Sequence, residues 1–417
     1  IMGTFPILVD STKPTQIDFQ SSFKNIDMTI LTQFAPKWEH LLFGHFTGNF
    51  NMGGTTQETR FDLDGKIEDA FFGKIPLGTV SGIGHYSNKI LEFSQFSSSW
   101  DRNHITGSAS LPIDYDITSP NVRDWNPGGE LNVTAKGDFH SAVFLSEYLA
   151  ETDSIIGDIN MILDIKGPPE KLVRNGAITI ENGSIYTLLM DEPVRRISTH
   201  GRLVDNQLSI QSFTGALFDT QSKIDSTQNL TITGEIDFTK FFEPRYNLHA
   251  EGDDIFFRSL NGDIEGYGDL DVTVIGKDTL EINGTVAAKN GAIYIEFTGN
   301  EPVEFAEKKG RITTNYNIRF PIEDTFYIRN SQIDAKISGE LAMSKQFDGE
   351  WNYSGEIEFI EGEIYYYVGD VFENLTGVMT LDGQGFNPFL ELTASTKIGD
   401  AEIMLGRSEE HTSELQS

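Results

Sequence analysis

The side chains that most often perform catalysis or bind metal ions are scattered along this sequence. Histidine, the usual base near neutral pH and the commonest metal ligand, occurs eight times without a His-x-x-x-His or His-x-His pair. The eight residues are His40, His45, His85, His104, His140, His200, His249 and His411. Single histidines spaced in this way are more often surface or hydrogen-bonded strand residues than ligands or bases. The pattern predicts no histidine-based site.

Acidic residues and glycine-rich segments give no stronger signal. Adjacent pairs such as Asp253-Asp254 arise because the chain has 63 acidic residues, so they do not identify the two carboxylates of a glycosidase. Residues 266–271 resemble a calcium-binding repeat only superficially, because their aspartates are out of phase and the motif is not tandem. No phosphate-binding loop, dinucleotide fingerprint or Gly-x-Ser-x-Gly elbow occurs. We therefore expect no catalytic residue, no metal site, no cofactor and no enzymatic activity.

Composition narrows the class of protein further. A formal charge of -32 repels nucleic-acid phosphates and anionic bilayers, so we expect no nucleic-acid partner. The chain has no cysteine, which excludes disulfides, thiolate zinc sites and a cysteine nucleophile. No uninterrupted apolar run reaches about 18 residues, so the sequence predicts neither a membrane-spanning helix nor a signal peptide.

Both ends of the sequence suggest a piece of a longer protein. The chain opens on Ile1, and residues 407–417 resemble an in-frame translation of a common short-read sequencing adapter. We therefore treat residues 407–417 as an expected artefact and expect natural sequence to continue beyond Gly406.

Apolar and polar residues alternate along most of the chain. Clear examples are Ala109, Leu111, Ile113, Tyr115 and Ile117; Ile159, Met161, Leu163 and Ile165; and Ile333, Ala335, Ile337, Leu341 and Met343. Successive side chains of a strand point to opposite faces, so each run gives one apolar and one polar face. Antiparallel sheets tolerate one wet face, whereas parallel sheets covered by helices do not. The sequence predicts an all-β protein with an elongated antiparallel sheet.

Two stretches have helical spacing instead. Residues 27–42 predict a short amphipathic helix with Asp27 as its N-cap, and residues 141–151 predict a second one. A glycine and a new alternating segment follow each helix, at Gly44 and Gly157. We therefore predict repeat units over 1–140 and 141–255, followed by a third region over 256–406.

A finer repeat occurs three times, with two glycines seven residues apart and Ile-Tyr two residues after the second. Its copies run over 175–186, 283–294 and 354–365. Because Asn-Gly between alternating segments is a strong hairpin signal, we predict two-residue turns at Asn182-Gly183, Asn290-Gly291 and Glu361-Gly362. These turns place one set of residues on a shared apolar face: Ile178, Ile180 and Ile185; Val286, Ala288, Ile293 and Ile295; and Ile357, Phe359 and Ile364. Tyr186, Tyr294 and Tyr365 fall on the opposite face.

The ordered set of motifs resembles the TamB family and its AsmA-like relatives. The motifs are the three repeat copies, Gly-Arg-Leu203 or Gly-Arg-Ile312 after the first two, and, near the end, Phe320-Pro-Ile-Glu-Asp-Thr-Phe-Tyr-Ile-Arg-Asn330, Gly377-Val-Met-Thr-Leu381 and Asn387-Pro-Phe-Leu-Glu-Leu-Thr-Ala394. The likeness covers about residues 25–406 and is strongest from 320 onward. Its signature turn residues are Gly176, Asn182, Gly183, Gly284, Asn290, Gly291, Gly355, Gly362, Asn387 and Pro388.

The resemblance implies a fold and a function. The fold would be a long antiparallel sheet curved into an open, taco-like groove, whose apolar side shelters phospholipid acyl chains. The protein would lie in the periplasm, anchored in the inner membrane by a segment that is not in this chain, with a TamA-like outer-membrane barrel as partner. It would conduct phospholipid between the two membranes, assist the assembly of outer-membrane proteins and protein secretion, or do both, without enzymatic chemistry.

Two other classes of protein share parts of the pattern. An extracellular β-repeat adhesin or structural stalk would also be acidic, glycine-rich and free of cysteine, and it predicts a closed interior filled with side chains. A carbohydrate-active β-helix enzyme predicts acidic residues clustered beside aromatic ones in an open cleft, and the sequence has no such cluster.

Overall fold

The structure is a computed structural model. It describes residues 2–4, 14–32, 42–73, 75–115, 122–124, 129–143, 152–188, 190–219, 228–241, 243–259, 262–296, 313–347, 349–366, 370–383, 388–398 and 401–409. The chain forms two compact units. Unit 1 contains Ile1–Phe144, Ile156–Glu181 and His200–Leu208, and unit 2 contains Leu145–Ile155, Asn182–Thr199 and Ser209–Ser417.

Unit 1 is built almost entirely from strands. They are β1 (Met2–Thr4), β2 (Gln16–Asp27), β3 (Leu42–Thr55), β4 (Thr59–Phe72), β5 (Ile75–Ser87), β6 (Ile90–Trp100), β7 (Asn103–Pro112), β8 (Asp114–Tyr115), β9 (Val122–Asp124), β10 (Leu131–Ser141) and β11 (Thr152–Gly167). Strands β1 to β7 pair in chain order, and β10 pairs with both β7 and β11. All these pairs are antiparallel. Strands β8 and β9 form a separate small sheet.

Strand β11 begins with residues of unit 2, and three further strands also run through residues of both units: β12 (Val173–Thr187), β13 (Val194–Val204) and β14 (Gln207–Ala216). Unit 2 then continues with β15 (Leu230–Asp237), β16 (Arg245–Arg258), β17 (Ile264–Gly276), β18 (Thr279–Ile293), β19 (Thr313–Arg329), β20 (Ile333–Lys345), β21 (Asn352–Tyr366), β22 (Asp370–Asp382), β23 (Pro388–Ile398) and β24 (Ala401–Glu409). The described part of the chain is therefore nearly all β, as the alternation predicts.

The strands of unit 2 pair in chain order from β15 to β24, but one pair is not antiparallel. Strands β18 and β19 are parallel, with Leu280 beside Thr314 and Ile293 beside Ile328. The prediction of a purely antiparallel sheet was wrong at this pair. Parallel neighbours need a crossover connection of about a dozen residues or more, and the chain between Ile293 and Thr313 is long enough for one.

The predicted two-residue turns were also wrong. Asn182-Gly183, Asn290-Gly291 and Glu361-Gly362 lie inside the continuous strands β12, β18 and β21. In β18 the register moves from Ala288 opposite Gly268 to Asn290 opposite Tyr267, which leaves Lys289 as one extra residue. In β21 the extra residue is Ile360. The second and third copies of the repeat therefore mark β-bulges within long strands.

A one-residue bulge explains why the apolar residues of a copy still share a face. In β18, Val286 lies opposite Leu270, whereas beyond the bulge Ile293 lies opposite Ile264. Directly opposed residues of an antiparallel pair project to the same side. The bulge shifts the alternation by one position, so even-numbered residues before it and odd-numbered residues after it project together. A hairpin turn would give the same parity through a different backbone path.

The glycines of the three copies likewise lie inside strands rather than in turns. They are Gly176 and Gly183 in β12, Gly284 and Gly291 in β18, and Gly355 and Gly362 in β21. Pro388 begins β23, and Asn387 lies outside the described residues.

Both predicted helices lie partly outside the described residues, which omit 33–41 of the first and 144–151 of the second. Helix α1 (Met28–Thr32) begins where the sequence predicts, because the backbone N–H of Thr29 donates to Asp27 Oδ1 over 2.9 Å. It does not extend to residue 42, because Leu42 is already the first residue of β3. Residues 144–151 of the second predicted helix lie outside the described residues, and Ser141 ends β10.

Gly339 in β20 tests the close strand packing. Its φ of +138° is strained for other residues, and an added Cβ would meet the carbonyl oxygen of Glu356 and lie 3.0 Å from Cα of Ile357. We expect Gly339→Ala to lower the free energy of unfolding by about 2 kcal/mol or more in urea titrations.

Gly53 in β3 is the matched control. It has an ordinary φ, and the nearest atom to an added Cβ is 4.0 Å away. Gly53→Ala should leave stability unchanged or raise it by less than about 1 kcal/mol. Equal losses from the two substitutions would contradict the packing at Gly339.

Candidate functional site

Unit 1 has a continuous apolar face on one side of its sheet, which we call the unit 1 face. Two rows of directly opposed residues that cross the strands show its composition. One row contains Met52, Phe61, Tyr86, Leu91 and Leu111. The next row contains Phe50, Leu63, Gly84, Phe93, Ala109, Val133 and Ile165. Intervening strand positions such as Asn51, Asp62 and His85 are exposed on the other side.

Burial varies along the strands of the unit 1 face. Ile17, Met52 and Tyr86 are buried near one end of their strands, and Phe46 and Ala70 are buried near the other. The row between these ends is less covered: Phe50, Leu63, Phe93 and Val133 are half-buried. The centre of the unit 1 face therefore combines apolar side chains with access to solvent.

Aromatic rings form part of this face. Phe50 and Phe61 lie 5.3 Å apart between ring centroids, and Phe61 stacks on Tyr86 at 4.6 Å. The Phe46 ring lies against Gly48 and Gly65, where a Cβ added to Gly65 would lie 2.7 Å from the ring. The missing side chain at Gly65 lets the ring lie close to the sheet.

The apolar side of unit 2 is covered more completely. Residues from β18 to β23 pack into one cluster, in which Ile337, Ile357 and Leu375 are 0% exposed and Phe359 is 1% exposed. Side chains therefore fill this part of the interior, as the stalk interpretation predicts for a whole chain.

The structure places the ten predicted groove residues in three environments. Ala288, Ile357 and Phe359 are buried in the unit 2 cluster, and Ile293 and Ile364 pack against it. Ile180 is buried at 7% exposure. The remaining four, Ile178, Ile185, Val286 and Ile295, are half-buried. Ile180 and Ile185 do not lie opposite each other across the predicted turn at Asn182-Gly183, because both belong to the continuous strand β12. Tyr186, Tyr294 and Tyr365 are exposed.

Sequence reasoning did not identify the central residues of the unit 1 face. Phe50, Leu63, Phe93 and Val133 carry the same alternation as the predicted sites, but they lie outside the three repeat copies. Glycines at face positions interrupt the apolar pattern, as at Gly65 between Leu63 and Ile67. Counting glycine as compatible with an apolar face would have revealed these residues.

The polar side carries pairs of polar and charged side chains. His85 Nδ1 lies 2.6 Å from Asp62 Oδ1 on the neighbouring strand, and Lys66 Nζ lies 2.7 Å from Glu68 Oε1. Lys289 Nζ lies 2.6 Å from Asp269 Oδ1, and this hydrogen bond raises the pKa of Lys289. Such exposed pairs each contribute about 1 kcal/mol or less. They keep this side wetted by water and do not form a reactive centre.

The described residues contain no group of three or more histidine or acidic side chains close enough to hold a metal ion. Within the same residues, no helix combines the length and apolar character needed to cross a membrane.

Comparison with known families identifies the second half of the chain. Residues 219–415 match the family model described as TamB C-terminal domain. A search of curated proteins finds no match. The matched range lies in unit 2 and includes β15 to β24 with the second and third repeat copies.

The match also includes most of the segment that resembles an adapter. Residues 407–409 complete β24, where the register places Arg407 opposite Leu392 and Glu409 opposite Leu390. Two positions earlier, Leu405 lies opposite Ala394 and packs against the unit 2 cluster.

The two isoleucines beside the bulge of β21 test the assignment of its faces. Ile357 is fully covered in the unit 2 cluster, whereas Ile360, the extra residue, is 37% exposed. We expect Ile357→Ala to lower the free energy of unfolding by about 2–4 kcal/mol because it opens a cavity. The matched Ile360→Ala should cost less than about 1 kcal/mol. Chemical denaturation measures both, and equal effects would contradict the bulge.

Proposed function

Because residues 219–415 carry a TamB C-terminal domain, we propose that this protein works in a translocation and assembly module, where its apolar surface shelters phospholipid acyl chains during transfer between the inner and outer membranes. The observation that supports lipid contact is the unit 1 face, which is apolar along its length and half-buried at its centre. No bond is made or broken in this function, so we infer a protein without enzymatic activity.

The energetics of acyl transfer favour such a surface. Each methylene exposed to water costs about 0.8 kcal/mol, so free diffusion of a phospholipid across an aqueous compartment meets a large barrier. Half-buried side chains such as Phe50 and Leu63 already have part of their surface in water. Covering them with an acyl chain removes apolar area from water on both partners.

The charge distribution is compatible with an aqueous location. A formal charge of -32 keeps the polar side hydrated and opposes adsorption of that side to an anionic bilayer. We propose a periplasmic location, an inner-membrane anchor outside this chain, and a TamA-like outer-membrane barrel as partner. Assistance to the assembly of outer-membrane and secreted proteins is part of the same proposal.

A structural stalk is the second candidate function. The observation that favours it is the unit 2 cluster, where Ile337 and Ile357 leave no room for a ligand. A stalk would bind lipid in neither unit. The lipid proposal instead expects binding at half-buried apolar positions, so the two functions are separable by position.

Photo-crosslinking tests the lipid proposal. We expect a photoreactive side chain at Leu63 or Val286, both half-buried and apolar, to form adducts with phospholipid when the purified chain is mixed with phospholipid vesicles. Asp64 follows Leu63 and Thr285 precedes Val286, so both lie on the opposite face of their strands. The same photoreactive side chain at either position should form few lipid adducts. Mass spectrometry identifies the adducts.

Position Ile357 supplies the internal control, because its side chain is covered by protein and should yield no lipid adduct. Equal lipid labelling at Leu63 and Asp64, or none at any position, would favour the stalk.

A further inference from the structure

We propose that Tyr115, together with Phe61 and Tyr86, forms an end wall of the unit 1 face and limits the length of the acyl chain that the face accepts. This inference rests on the proposed lipid function. It concerns the segment Ile113–Tyr115, which follows β7 and crosses the ends of β5 and β4; we call it the strap.

Hydrogen bonds attach the strap to the hairpin between β5 and β6. The backbone N–H of Ile113 donates to the carbonyl oxygen of Lys89 over 2.9 Å. The Tyr86 hydroxyl donates to the carbonyl oxygen of Ile113 and accepts from the backbone N–H of Tyr115, each over 3.1 Å. Lys89 Nζ also contacts Asp114 Oδ2 at 2.9 Å. Every residue of the strap is therefore attached.

The ring of Tyr115 in the strap packs against the rings of Phe61 and Tyr86, and the three rings together form the end wall. Tyr115 meets Phe61 edge-on, with ring centroids 5.9 Å apart and an interplanar angle of 79°. It meets Tyr86 in the same way at 6.3 Å. Because Phe61 and Tyr86 stack on each other, the three rings form one cluster at this end of the unit 1 face. Aromatic pairs in these arrangements stabilise each other beyond the effect of their burial.

The wall presents an apolar surface. Tyr86 is 2% exposed, and burial raises the pKa of its hydroxyl, which therefore stays neutral. That hydroxyl has its donor and one acceptor position occupied by the strap. Phe61, which is half-buried and whose ring centroid lies 5.3 Å from that of Phe50, presents ring atoms toward the centre of the face.

The position of the wall indicates which part of a lipid would meet it. Leu63 and Phe50, one row further toward the centre, are half-buried and open to a ligand. That row is two residues, or about 7 Å, along the strand from Phe61. A hydrocarbon chain that runs along the strands toward Tyr86 must stop at the rings. Since the wall is built mainly from three aromatic rings, the methyl end of the acyl chain fits there better than the charged headgroup.

A length series tests the wall. The affinity of the purified full chain is measured for saturated fatty acids from decanoate to stearate by competition with a fluorescent fatty acid. We expect the wild type to gain affinity with length only up to a limit. Tyr115→Ala removes the edge-on ring and should move that limit to longer chains, with a gain of about fourfold for each methylene newly covered. Tyr115→Phe keeps the ring and the backbone donor, so its profile should match the wild type.

Two further variants complete the test. Tyr86→Phe removes only the hydroxyl that joins the strap, and it should shift the length limit in the same direction as Tyr115→Ala. The wall can therefore still be tested with Tyr86→Phe if Tyr115→Ala fails to fold. Tyr365→Ala removes an exposed tyrosine of β21 and should change nothing. Fatty acid binding with one unchanged length profile in all variants would overturn the wall alone. A wild type that binds no fatty acid would overturn the proposed lipid function and the wall together.

Discussion

Everything in this structure depends on keeping apolar side chains on one side of very long strands. Strand β19 has 17 residues and β11 has 16, so an error of one position in the alternation would turn a whole set of apolar side chains toward water. Each apolar side chain turned out in this way loses roughly 1.5–3 kcal/mol of burial. The bulges at Lys289 and Ile360 shift the alternation of side chains between the two faces by one position. In both strands the apolar residues of the sequence shift from one parity to the other at the same place.

Segregation of the two faces also explains how so acidic a chain can offer an apolar surface. Charged residues of β4 such as Lys66 and Glu68 lie at the alternate strand positions and pair with each other there. The polar side therefore stays hydrated without placing charge beside Phe50 or Leu63. The two units use the other side differently, since the unit 2 cluster is filled by its own side chains whereas the centre of the unit 1 face is half-buried.

The sequence predicts which residues share a face much better than it predicts how the chain turns. Whether apolar residues occupy odd or even positions is a local property of the sequence. The grouping of Val286 with Ile293 on one face therefore follows from the sequence alone. Asn182 shows why the turns failed: its φ of 53° suits both a turn and a bulge, and the choice depends on whether the neighbouring strand continues. The parallel pairing of β18 and β19 depends on a distant contact that no local pattern encodes. The strap was missed for the same reason, because nothing near Tyr115 in the sequence indicates Phe61.

The proposed binding of phospholipid is tested most directly by the phospholipid content of the purified protein. The full chain is purified by gel filtration, extracted with organic solvent, and its phospholipid is quantified by mass spectrometry relative to protein. We expect phospholipid in amounts comparable with the protein, retained through purification. A chain with a β-sheet circular dichroism spectrum that carries no phospholipid, and that takes up none from vesicles, would contradict the claim.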